Sequence, residues 1–266
     1  PMYGIRTPKE TIAGQVLAGV VEGVGAGVTR FSEGDEVFGW GTATLAELAA
    51  VPADQLAPKP PGVTLEQAAA VPVSGFAALQ AVRDQGEAAA GQRVLVIGAS
   101  GGVGSLATQV AASIGAEVTG VAGPSNQQMV RDLGAADVID YTTAEIDEQG
   151  PVFDVIIDTA GNRPLRTLRR ALTAKGTLVI VGGTGGKVTM GFGRTIRAML
   201  TSPFVRQRLR SLISKPNIGD LDAIGSLMAS GALTPRVGAT YPLADAAAAV
   251  ADAGDQRGGG APVVTI

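Results

Sequence analysis

One stretch narrows the folds open to this chain more than any other. Four consecutive apolar residues, Val94-Leu95-Val96-Ile97, run into Gly98-Ala99-Ser100-Gly101-Gly102-Val103-Gly104, and helical periodicity then continues to Ser113. A short uniform apolar run is what a buried parallel strand looks like. The glycines behind it each answer a steric demand. Gly101 turns the chain, Gly102 lets backbone N–H groups approach a ligand, and Gly104 lets the new helix pack closely on the strand. The N-terminus of that helix presents free N–H groups and the positive end of its dipole, the recognition surface for a diphosphate. Another strand, Glu117 to Val121, follows. Strand, glycine turn, helix and strand together read as a dinucleotide site, with Ser100, Gly101, Gly102, Val103 and Gly104 as its candidate contacts.

The alternation continues downstream. Gln127 to Leu133 reads as helix, Val138-Ile139 and Phe153 to Ile157 as strands, Leu165 to Leu172 as helix, and Thr177 to Val181 as a buried strand. This predicts an α/β doubly wound parallel sheet of Rossmann type. Ligands of such sheets lie beyond the carboxyl ends of the strands. The turns at Asp158-Thr159-Ala160-Gly161 and Val181-Gly182-Gly183 are therefore further candidate walls, through Thr159, Val181, Gly182 and Gly183. The strand at 117–121 closes on Gly120-Val121-Ala122-Gly123 without the Asp or Glu that holds a ribose 2′-hydroxyl in NAD sites. Its absence favours NADP(H) over NAD(H). Ser125, Asn126, Arg131 and Tyr141 are the residues placed to meet a 2′-phosphate.

The flanking segments differ. Val20, Val21 and Val24, then Glu36 to Phe38, then Glu47 to Val51 read as short strands broken by glycines. Thr64 with Gln67 forms a capping-box pattern opening a helix, and a second helix is expected from Gly75 to Arg83. Arg194 to Ile213 reads as one or two helices and Leu221 to Ser230 as another. After these come a strand from Val237, a helix at Asp245 to Ala253 and a strand at Val263 to Ile266.

Composition then excludes whole classes of chemistry. The 266 residues contain no cysteine and no histidine. That removes disulfides, thiolate nucleophiles, the Ser-His-Asp arrangement and the usual zinc ligands. Net charge is −3 with a pI near 5.1, so no overall basic field recruits nucleic acid. The Arg194, Arg197, Arg206, Arg208, Arg210 and Lys215 run is expected to be a solvated helix face. Val94 to Ala116 is uncharged, but its glycines and its Ser, Thr and Gln residues are too polar for a bilayer span. No signal-peptide pattern opens the chain, so a cytoplasmic protein without membrane attachment is expected.

Several motifs in order resemble the medium-chain dehydrogenase/reductases, and more narrowly their zinc-independent quinone oxidoreductase-like branch. They are Ala18-Gly19-Val20-Val21-Glu22, Gly34 to Gly39, Gln67 to Pro72, Gly98 to Gly104, Leu133-Gly134-Ala135 and Val138-Ile139-Asp140-Tyr141. The resemblance covers essentially the whole chain. It implies a GroES-like catalytic domain at 1–75 and 236–266, incomplete at its N-terminus, with the Rossmann domain inserted at 76–235. It also implies NADPH, no zinc, a cleft between the domains and a homodimer. Gln15-Val16 stands where zinc-using relatives carry His-Glu, and Val16 where this branch usually has Asp. Ala77 replaces a nicotinamide-side Thr, and Ser125 an Arg that supports NADP. The usual Lys near the C-terminus is replaced within Gly258-Gly259-Gly260, while Arg257 matches a cofactor-side Arg.

The expected activity is hydride transfer from NADPH to a quinone or conjugated enone, which needs little acid–base help from the protein. No catalytic acid can be named. Phe38, Trp40 and the Tyr3 segment are candidate substrate-side walls, with plain packing as the alternative. Two other readings stand beside this one. One is a catalytically impaired NADPH-binding protein with a structural or regulatory role, and the other an alcohol or aldehyde reductase.

Overall fold

A computed structural model describes residues 12–181, 205–255 and 260–266. The chain divides into two compact units, 1–76 with 216–266, and 77–215.

The second unit is built on six parallel strands: β4 (Arg93–Ile97), β5 (Glu117–Ala122), β6 (Asp137–Asp140), β7 (Phe153–Asp158), β8 (Leu172–Ile180) and β9 (Arg208–Ser211). Their spatial order is β6-β5-β4-β7-β8-β9. From the central pair the chain winds outward in both directions, so right-handed crossovers place successive helices on opposite faces. The helices are α3 (Gly102–Ser113), α4 (Gln127–Asp132) and α5 (Leu165–Ala171). Strand alternation separates the faces. Leu95, Ile97, Val121, Ile156, Leu178 and Ile180 join Leu168 and Ala171 of α5 in one buried cluster. Gly120, of opposite parity to Val121, instead faces Val130 of α4 so tightly that a Cβ there would overlap it. Burial of each such Leu or Ile stabilises the unit by about 1.5–3 kcal/mol.

In the first unit β1 (Val16–Val20), β2 (Glu36–Trp40) and β3 (Leu56–Pro58) form an antiparallel sheet, and β10 (Val237–Pro242) pairs parallel with β11 (Ala261–Thr265). Helix α1 (Leu65–Ala69) opens with the expected capping box. Thr64 accepts the Gln67 N–H, and the Gln67 side chain accepts the Thr64 N–H. Helices α6 (Ile218–Ala229) and α7 (Ala246–Asp255) complete the unit. Helix α2 (Pro72–Leu79) leads from one unit into the other and ends in a π-helical turn, Gln80–Gln85. The entry and exit of the second unit are tied together there. The Gln80 amide donates to the Lys215 carbonyl at 2.8 Å and accepts the Lys215 N–H at 3.1 Å.

Four expectations are corrected. Glu47 to Val51 is not a strand but irregular chain, and Leu56–Pro58 is the third strand, paired to β2. The return to the first unit comes at Pro216 rather than at 236. The reason is α6: its Gly225 lies against the Phe38 ring, its Ile224 against Gly75, and Asp222 accepts from Arg30 at 2.8 Å. Arg208 to Ser211 is an edge strand, not helix. Leu209 turns into the core, while Arg208 and Arg210 both reach Glu87 at 2.6 and 2.7 Å. The Glu87 carboxyl lies below its ordinary range, first through the Arg210 hydrogen bond and then through Arg208. These two arginines are thus ion-paired, not a solvated helix face, and Arg194 and Arg197 lie outside the described residues. Among the described residues no helix is long and apolar enough to cross a membrane.

Candidate cofactor site

The outward winding reverses between β4 and β7, whose last paired residues are Ile97 and Asp158. The crevice beyond those carboxyl ends is where the topology leaves room for a ligand. The turn leaving β4 is set by sterics. Gly98 has φ +81°, and a Cβ there would come 2.6 Å from Thr159 Oγ1. Gly101, assigned the turn from sequence, has an ordinary φ of −79° and serves as N-cap of α3, which starts at Gly102. The sharp turn is therefore made three residues earlier than expected. Gly104 has the tightest requirement, because a Cβ would overlap the Gly98 carbonyl.

Helix α3 carries no side-chain cap. Its first backbone bond runs from the Ser105 N–H to the Gly101 carbonyl at 2.8 Å. Gly101 and Gly102 are exposed, and Ser100 and Val103 are half-buried beside them. A twelve-residue helix thus presents the N–H groups of Gly102, Val103 and Gly104 over a floor of glycine backbone. Free N–H groups at a helix start of this kind fit a dinucleotide diphosphate.

The turn after β7 is fastened to the same place. The Thr159 hydroxyl donates to the Ile97 carbonyl at 2.7 Å, and the Thr159 N–H donates to it at 3.1 Å. Asp158 is fully buried; its carboxylate accepts the Gly161 N–H at 2.9 Å and its carbonyl accepts the Val181 N–H at 3.0 Å. Thr159 is therefore brought to the β4 turn, and Val181 to the end of β7. The residue types in Asp-Thr-Ala-Gly carry no signal for the Thr159–Ile97 bond, which joins positions 62 apart.

The residues expected at the nucleotide end follow β5 and β6. Ser125 and Asn126 sit in a short 3₁₀ turn just past β5, Ser125 exposed and Asn126 half-buried. The Tyr141 ring covers Gly123, where a Cβ would come 3.0 Å from the phenol oxygen. Asp140 is held below the usual carboxylate range, chiefly by the Thr142 backbone N–H and then by the Thr142 hydroxyl. Arg131 occupies the last turn of α4. Gly182, Gly183 and Arg257, with Tyr3, lie outside the described residues. Phe38 is completely buried against α6, so it is a core residue rather than a substrate wall. Trp40 is half-buried, edge-on to Phe76 at 5.3 Å.

Residues 2–61 match the family described as alcohol dehydrogenase GroES-like domain, and residues 133–264 match the one described as zinc-binding dehydrogenase. The quinone oxidoreductase of Sus scrofa is 33% identical over 258 residues, covering 91% of this chain and 75% of that protein. The chain belongs to the medium-chain dehydrogenase/reductase superfamily and is quinone oxidoreductase-like. The mitochondrial NAD(P)H oxidoreductase RTN4IP1 of Mus musculus is 38% identical over 159 residues, covering 56% of this chain and 40% of that protein. The chain thus spans under half the length of that relative. The solved quinone oxidoreductase of Coxiella burnetii shares 27% identity at a TM-score of 0.81, with 96% of this chain and 79% of that one covered.

One of the two family descriptions names zinc. The chain has no cysteine and no histidine, and among the described residues no three acidic side chains gather as ligands.

Proposed function

We propose that this chain is an NADPH-dependent oxidoreductase that passes hydride to a quinone or conjugated enone without a metal ion. The observation that carries the reading is the uncapped α3 N-terminus above the Gly98–Gly104 turn, at the point where the sheet reverses. The first-turn N–H groups hold the diphosphate, and the fastened Thr159 turn keeps that cradle in shape before the ligand arrives. At the nucleotide end the absence of an acid after β5, with Ser125, Asn126 and Tyr141 nearby, favours a 2′-phosphate. The names of the relatives supply the acceptor class, quinones among them.

When bound, the reduced nicotinamide supplies the hydride, and a reduced quinone takes its proton from water. The protein's share is binding, orientation and exclusion of solvent. Steady-state oxidation of NADPH by a panel of quinones and enones tests the reading. Turnover with one class supports it, and saturable NADPH binding with no turnover on any acceptor contradicts it. That second result is what a catalytically silent NADPH binder gives, a reading favoured by the apolar side chains at Val16 and Ala77.

A further inference from the structure

Asp140 closes β6 beside the end of β5, where Ala122 is its paired residue. One carboxylate oxygen accepts the Thr142 N–H at 2.9 Å and the Thr142 hydroxyl at 2.7 Å. The other accepts the Gln127 side-chain amide at 3.0 Å. Gln127 is the first residue of α4, directly after the Ser125 and Asn126 turn. Tyr141, between the two ends of this brace, is 58% exposed, and its ring lies over Gly123. Little apolar burial therefore fixes the ring. The carboxylate bonds tie the loop after β6 to the first residue of α4, beside a longer backbone bond from the Tyr141 N–H to the Ala122 carbonyl at 3.4 Å.

We propose that Asp140 is a positioning residue for cofactor selectivity: through Thr142 and Gln127 it holds Tyr141 over Gly123 and the 125–126 turn in a single arrangement that receives the 2′-phosphate. The inference rests on the reading that the end of β5 takes the nucleotide. Preorganisation of this kind acts on the contacts it orders and on nothing else. Contacts to the diphosphate come from the Gly98–Gly104 turn, which Asp140 does not touch. The consequence is a selective effect. Loss of the brace weakens NADPH binding, while NADH, lacking the 2′-phosphate, is held as before.

The experiment is titration of NADPH and NADH, each into wild type, Asp140→Ala and Asp140→Asn, with the melting temperature of every protein recorded. Asp140→Ala is expected to weaken NADPH by roughly tenfold and NADH by less than about twofold. Asp140→Asn is expected to stay within about threefold of wild type, because its amide oxygen still accepts from Thr142 and its NH₂ can donate to a turned Gln127 amide. Hydrogen exchange at Thr142 in the unliganded proteins is expected to quicken in the alanine variant and not in the asparagine variant. A wild type that binds neither cofactor, or both equally, overturns the nucleotide reading and this proposal with it. A wild type that prefers NADPH, with an alanine variant that keeps the same preference, overturns the positioning role alone. Equal losses for both cofactors, tracking a lower melting temperature, also overturn it, since a merely structural residue gives that result.

Discussion

The two halves of the crevice rim are built in different ways. At β4 and β7 the geometry is enforced by overlap and burial. Gly104 has no room for a methyl group, Gly98 needs a positive φ under Thr159, and Asp158 is wholly enclosed. At β5 and β6 the chain is held by polar bonds near solvent, with Tyr141 and Ser125 exposed. The first half is suited to what every dinucleotide shares, its diphosphate. The second is suited to what distinguishes one dinucleotide from another. A rigid common site beside an adjustable selective one lets preference change without loss of the fold.

The largest expected effect follows from the enforced half. Gly104→Ala drives a methyl group into the Gly98 carbonyl, so the start of α3 must shift. Overpacking of this kind costs about 1–3 kcal/mol, which lowers the melting temperature by roughly 2–12 °C. NADPH and NADH binding should fall together, by roughly 100-fold, as the N–H cradle moves. Calorimetric titration checks this, and a loss confined to NADPH breaks the division between the halves. A smaller, selective effect is expected from Ser125→Arg. A guanidinium on this exposed turn adds a charge-assisted contact that solvent screens, tightening NADPH by about three- to tenfold and leaving NADH alone. A matched gain for both cofactors argues against a 2′-phosphate at this turn.

The smallest effect belongs to a polar brace outside the rim. Glu87, held by Arg208 and Arg210, has its carboxyl lowered in the folded chain. Its stabilising contribution is fully present above the ordinary carboxylate pKa and is lost as pH falls through the lowered folded value. Glu87→Gln should cost about 1 °C of melting temperature at pH 7, less in high salt, and should leave both cofactor affinities unchanged. Melting curves at pH 7 and pH 3 check the sign, because the difference from wild type should shrink at the lower pH.

The same contrast governs how much of the molecule could be read from its residues. Buried strands such as Val94-Leu95-Val96-Ile97 announce themselves, since uniform apolar runs have few other uses. The Thr64 capping box is likewise local, and it forms as expected. The edge strand Arg208–Ser211 was hidden because alternating Arg and Leu also suits a helix face, and its partner Glu87 is 121 positions away from Arg208. The return at Pro216 depends on α6 meeting Phe38 and Gly75, which no local pattern encodes. Within the site, residue types identified the glycine turn but misplaced its sharp bend at Gly101. The Thr159 bond to Ile97 and the Asp140 brace required the sheet order.

Titration of NADPH into the purified wild-type chain, with NADH as competitor, tests most directly whether the chain holds NADPH as proposed for the Gly98–Gly104 turn. Saturable binding of one equivalent, displaced only by a large excess of NADH, is the predicted result. An NADPH signal that does not saturate, or that NADH displaces at equal concentration, contradicts the account.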